Sequence, residues 1–157
     1  MCRDGDAYTH CTDIAGWRFD LATLDPVGWN ASYADPRTAR AVAVDPGLIC
    51  GLGDGAAEAV EADILPVGLG TGENRLLATD FDRSGLADLL PNARRALAGP
   101  ARHWSMLPVC KPAGAEIVAE ETDYPICTDP PGTDRADLHA RIVDIVAEFV
   151  LDDGRGD

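Results

Sequence analysis

Two carboxylates two residues apart, Asp80 and Asp82, follow the run Leu76-Leu77-Ala78-Thr79. At i and i+2 on a strand tip, such a pair can share one metal ion and one phosphate, one carboxylate attacking while the other moves a proton. Just upstream stands a glycine-rich run, Gly68-Leu69-Gly70-Thr71-Gly72-Glu73. No helix is expected directly after it and no Lys-Ser/Thr pair closes it, so it fails the dinucleotide and Walker patterns and reads as a hairpin loop. Thiols and imidazoles form the third set. Cys2, His10 and Cys11 lie close together near the start, with Cys110 and Cys127 far downstream. No Cys-x-x-Cys occurs, so no metal site is expected. A nucleophilic cysteine needs a base beside it. His10, His103 and His139 are the candidates, with His139 flanking the apolar stripe of a helix.

The segment 76–84, Leu-Leu-Ala-Thr-Asp-Phe-Asp-Arg-Ser, resembles the first motif of haloacid-dehalogenase-type phosphatases. The resemblance implies Asp80 as nucleophile, Asp82 as acid/base and Mg²⁺ between carboxylate and phosphate. It covers about nine residues. That family has a parallel Rossmann-like sheet with this motif on an early strand, whereas here some 75 residues precede it. The reading taken forward is a polar strand exit whose Asp82 or Ser84 caps the next helix, with no cofactor.

Charge bounds the partners. The chain has 157 residues and a net charge of −14. Twelve of its 13 basic residues are arginine, Lys111 being the exception, a bias of GC-rich, bacterial-type coding. Residues 75–111 carry six bases against three acids, and the segments on either side are strongly acidic. Such an excess repels nucleic acid and anionic membrane, and it favours a basic protein partner. The acids expected to form the contact zone are Glu116, Glu120, Glu121, Asp123, Asp144, Glu148, Asp152 and Asp153.

The elements that must position these groups follow from periodicity. Residues 15–21 alternate, with Trp17, Phe19 and Leu21 on one face, as in a half-buried strand. Trp29 and Tyr33 lie in a turn-rich stretch and are expected to pin it to the core. Residues 39–44 predict a strand, and 48–50 a second short one. Residues 54–62 fit either a short helix capped by Asp54 or an exposed strand. Residues 64–69 and 74–81 predict a hairpin, with Pro66 placing its first strand at a sheet edge. Residues 84–98 predict a helix capped by Ser84 and kinked at Pro91. A second hairpin is expected from 103–110 and 114–119, and 120–132 read as loop. The clearest element is a helix over 134–151, capped by Asp134, with Leu138, Ile142, Ile145, Val146, Phe149 and Val150 on one stripe. Asp152 and Asp153 oppose the dipole at its end, which is expected to fray.

Together these predict one α+β domain over 1–157, with a loose arm at 1–14 and a frayed tail at 152–157. Its mainly antiparallel sheet has about five to seven short strands, packed by two main helices at about 84–98 and 134–151. The odd count of five cysteines and a start lacking an apolar signal core predict reduced thiols and a cytoplasmic location. The functional expectation is a small acidic binding module, of inhibitor, immunity or antitoxin type, rather than an enzyme. The alternatives are a small enzyme or ligand-binding domain, with a Cys/His or paired-carboxylate site, and an accessory subunit that self-associates through 83–102.

Overall fold

The computed structural model describes residues 16, 17, 20, 23–29, 31–47, 55, 57, 59–121 and 124–152. The chain divides into two compact units, Met1–Asp35 and Pro36–Asp157.

In the first unit, helix α1 (Pro26–Trp29) is one turn long. Asp25 caps it, accepting from the Val27 amide (3.0 Å) and the Gly28 amide (3.1 Å). Proline at the first helical position suits this start, since its missing N–H would have had no partner. Tyr33 Oη donates to the Gly28 carbonyl at 2.6 Å. That local bond, rather than a core, engages Tyr33, and both it and Trp29 are exposed. Trp17 sits in a turn and is exposed, so it forms no half-buried strand. Phe19, Leu21 and the arm at 1–14 lie outside the described residues, as do 48–50.

The second unit is built on strands β1 (Arg40–Val44), β2 (Asp63–Leu69) and β3 (Ala96–Ala98). They lie in the order β1-β2-β3 and are all parallel. Arg40 pairs with Asp63 through to Val44 with Val67, and Val67 pairs with Ala96 through to Leu69 with Ala98. The mainly antiparallel sheet of five to seven strands is therefore overturned. Among the described residues the sheet is open, three-stranded and all-parallel, and three of the four α-helices belong to the same unit.

Pro66 shows how β2 becomes the central strand instead of an edge. The Asp63 amide bonds the Ala39 carbonyl, and the Val67 carbonyl accepts from the Asp45 amide. Residues 63, 65, 67 and 69 thus direct their backbone groups toward β1. Pro66 has the other parity and faces the β3 side, where pairing begins only at Val67. Its missing donor costs no ladder bond.

Neither predicted hairpin forms. Residues 75–84 run through consecutive turns after the 3₁₀ turn Gly72–Asn74, because Arg75 is drawn inward and Thr79 Oγ1 donates to the Leu76 carbonyl. Leu77, read as a strand residue, is exposed. His103–Met106 is a 3₁₀ turn, and Gly114–Glu121 is helix α3. Ile117 and Val118 suggested a strand there, but Ala115, Ala119 and three glutamates are strong helix formers.

The helix expected over 84–98 shrinks to α2 (Leu86–Leu89). Pro91 disfavours helical geometry at Leu90, which sits at φ −125° and ψ 65°. The chain then extends and joins the sheet as β3. Ser84 is not the cap; Gly85 holds that position in the left-handed region, φ 80°.

Helix α4 (Arg135–Leu151) forms where expected. Asp134 caps it, accepting from the Ala136 and Asp137 amides. Leu138, Ile142, Ile145, Val146 and Phe149 pack on one face of the sheet, against Val42, Val44, Leu65, Val67, Leu69, Ala96 and Ala98. Each large aliphatic or phenylalanine side chain so buried contributes about 1.5–3 kcal/mol. Cations gather at its end: Arg40 Nη1 donates to the Phe149 (2.9 Å) and Val150 (3.1 Å) carbonyls, and Arg94 pairs with Asp152 at 3.2 Å. These cations supply what the dipole favours at that end. The other sheet face is met by Arg75, stacked 4.5 Å over Phe81, which clusters with Leu86. No described helix is long and apolar enough to cross a membrane.

Candidate functional site

All three strands end on one edge of the sheet, so the residues just after them converge. Asp45 follows β1, Gly70 follows β2, and the segment 99–103 follows β3. This carboxyl edge is where open parallel sheets hold ligands.

Asp45 is the hub. Its φ of 46° lies in the left-handed region, costly for a residue with a side chain, though aspartate tolerates it better than most. That turn aims the carboxylate inward, where the residue is only 3% exposed. Oδ1 accepts from the Leu69 amide (2.9 Å) and faces Arg75 Nη1 at 3.4 Å. Oδ2 is 2.7 Å from His103 Nδ1.

Arg75 is buried and well occupied. Nη2 donates to the Thr79 carbonyl at 2.6 Å, and Nε lies 3.5 Å from Asp80 Oδ2. Glycine at 68 makes room, since a Cβ there would run into the guanidinium. Gly70, at φ 73°, likewise lies against the Ala101 carbonyl.

His103 differs from its partners in reaching solvent, with 39% of its side chain exposed. An ionised carboxylate only accepts hydrogen bonds, so Nδ1 carries the proton and Nε2 of the neutral ring keeps a lone pair. The ring meets Trp104 edge-on at 5.4 Å, and Trp104 packs on Tyr124 at 5.2 Å.

A second polar network supports the 3₁₀ turn that presents His103. Ser105 is fully buried, and its Oγ donates to Asp129 Oδ1 at 2.6 Å while accepting from the Arg102 amide at 2.9 Å. Arg135 grips Asp129 through Nε (3.0 Å) and Nη2 (2.9 Å). It also donates to the carbonyls of Leu107, Pro108 and Ile126. Burial pushes the Asp129 carboxyl up, but hydrogen bonds from Arg135 and Ser105 and the charges of Arg135 and Arg102 together hold it below its ordinary value. His139 Nε2 lies 2.8 Å from the Ser105 carbonyl.

No family model, curated protein or solved structure matches this chain. Its geometry alone carries the functional reading.

The residues singled out from sequence fall in several places. Asp80 Oδ1 accepts from the Asp82 and Arg83 amides, and its other oxygen faces Arg75. Asp82 points outward, 89% exposed, 3.9 Å from Arg95. The two carboxylates go to different partners and leave from turns, not from a strand tip. Glu116, Glu120 and Glu121 are exposed along α3, and Asp144 and Glu148 along α4. Asp152 is that helix's C-cap, held by Arg94. Asp123 and Asp153 lie outside the described residues, as do Cys2, His10 and Cys11.

Two expectations about thiols and the glycine run are corrected. Cys110 and Cys127 are not reduced thiols but form a disulfide, with their Cα atoms 5.6 Å apart. Arg135 brings the two limbs together by bonding carbonyls on both, which a separation of 17 residues in sequence does not reveal. Neither sulfur pairs with a histidine. The run 68–73 is no hairpin loop; it is the exit of the central parallel strand. Asp45 and Arg75 were not singled out from sequence. An acid directly after one short strand and Gly-x-Gly directly after the next was the available signal, hidden because Asp45-Pro46-Gly47 also spells an ordinary turn.

Proposed function

We propose that the second unit is a small ligand-binding or catalytic α/β domain whose working group is His103, oriented by Asp45. The observation that carries this reading is the 2.7 Å contact between a buried carboxylate and a solvent-reaching imidazole at the carboxyl edge of a parallel sheet. A carboxylate behind an imidazole fixes its tautomer and stabilises the cation formed when Nε2 takes a proton. His103 is thereby equipped to draw a proton from water, or from a ligand hydroxyl, as it attacks an acyl carbon. The test is hydrolysis of p-nitrophenyl acetate by the intact chain. The expected result is a rate well above that of equimolar free imidazole, falling to that level in His103→Gln. A variant as fast as the wild type overturns the reading.

The acidic surface supports a second reading, the binding module for a basic protein. Helix α3 buries none of its residues and exposes Glu116, Glu120 and Glu121 around Ile117. Capture of a basic protein at low salt, with release as salt screens the charges, is its expected signature. Loss of that capture in the triple Glu→Gln variant of α3 tests it. An unchanged yield with that variant removes the helix from the contact.

A further inference from the structure

The disulfide lies outside the sheet core, yet it is joined to the proposed site. Cys110 and Cys127 close a loop that holds α3 and Tyr124. Within that loop no residue of α3 is fully buried, and its first, Gly114, packs at the bond itself, where a Cβ would come within 3.1 Å of Cys110 Cβ and 3.6 Å of Cys127 Sγ. Outside it, Arg135 already ties the two limbs through Leu107, Pro108 and Ile126. The fold is therefore closed below the bond without needing it. Both cysteines are partly exposed, so a thiol can reach them. From the loop, Tyr124 packs on Trp104, and Trp104 packs on His103.

We propose that Cys110–Cys127 is a redox modification site that sets the freedom of α3 and, through Tyr124 and Trp104, the surroundings of the His103 ring. The second half rests on the reading of His103 as the working group. The reductant is a dithiol. Its first thiolate attacks one sulfur, the Cys–Cys bond breaks and a mixed disulfide forms. Its second thiol then displaces the protein sulfur, leaving a cyclic disulfide. Two electrons pass from the dithiol to the protein, and both cysteines end as protonated thiols. Opening the bond releases the loop above Arg135 and leaves the sheet and α4 in place.

The experiment compares the intact chain before and after dithiothreitol. Alkylation and mass measurement count free thiols, a glutamate-specific protease reports on α3, and NMR follows the His103 ring. The expected result is that reduction frees both thiols, speeds cleavage after Glu116, Glu120 and Glu121 at least tenfold and moves the His103 resonances. The Cys110→Ser/Cys127→Ser variant, shown folded by its amide spectrum, should be cleaved at the fast rate under both conditions. Equal cleavage of the two wild-type states, or both thiols already free without reductant, overturns the proposal. Faster cleavage with fixed His103 resonances overturns the coupling to the site. If reduction acts as expected while His103→Gln keeps full ester hydrolysis, the redox site stands and the acid–base reading falls.

Discussion

Asp45 places one carboxylate oxygen against His103 and the other against Arg75, so one buried carboxylate serves two nitrogen donors at the end of β1. Exchange for the isosteric amide separates its roles. Asp45→Asn can donate to Nδ1 and so frees the ring to take the other tautomer. We expect the ester rate to fall by about 10²-fold, the low end of what a positioned base contributes. Nitrogen-15 shifts of the His103 ring should report a change from the Nδ1–H form. An unchanged tautomer would show that Asp45 does not set it.

Gly68 and Arg75 form a close pair, in which a Cβ at 68 would fall on the guanidinium. A Cβ at 68 forces the guanidinium to shift, and the expected result is loss of its contact with Asp45. Removing one partner from a buried ion pair costs about 3–5 kcal/mol. Gly68→Ala should lower the urea midpoint by a corresponding amount. Arg75→Met in the same background should add little, because the pair is already lost. Full additivity of the two changes would show that Gly68 matters for some other reason.

The acid limb of stability is assigned to Asp129. Its carboxyl is held below the ordinary value in the fold, so folding favours the ionised form. The stabilisation is complete above the unfolded value, about 4, and is lost as pH falls through the lower folded value. Urea midpoints followed from about pH 6 to about pH 2 should decline for the wild type in that window. Asp129→Asn should begin lower and converge with the wild type at the acid end. A gap that stays constant across the range contradicts the assignment.

Legibility in the sequence tracked the range of the interaction. Helix α4 was readable because its cap at Asp134 and its stripe from Leu138 to Phe149 are both local signals. Strand β1 was readable from its apolar run. The partners and direction of β2 were not, because Pro66 is tolerated only through a parity that depends on where β3 begins. The turns after Arg75 read as a strand in the sequence, since Leu76-Leu77-Ala78 is an apolar run although Leu77 and Ala78 are exposed. Of the site, His103 is legible as a candidate base, but the sequence offers a cysteine as its partner rather than Asp45. Asp45 lies 58 residues from His103 and 30 from Arg75, and only the parallel pairing of β1, β2 and β3 brings them together. The link between Cys110 and Cys127 was hidden for the same reason, since Arg135 aligns the two limbs from a third place in the chain.

Helix α4 forms one whole face of the core, so its start should govern the stability of the second unit. Asp134 Oδ1 accepts from two amides that have no other helical partner, at 2.9 Å from Ala136 and 3.1 Å from Asp137. Replacing such a cap with alanine costs about 0.5–2 kcal/mol. For a chain of this length each kcal/mol moves the melting temperature by about 2–4 °C. Asp134→Ala should therefore lower Tm by a few degrees, and Asp134→Ser should restore most of it, because a hydroxyl caps the same amides. Arg135, the next residue, keeps its grip on Asp129 in both variants, so the His103 turn should stay in place. Calorimetry with the ester assay separates the two effects: a lower Tm at unchanged ester rate is expected, and a loss of rate in step with Tm would mean that the cap and the site are one unit.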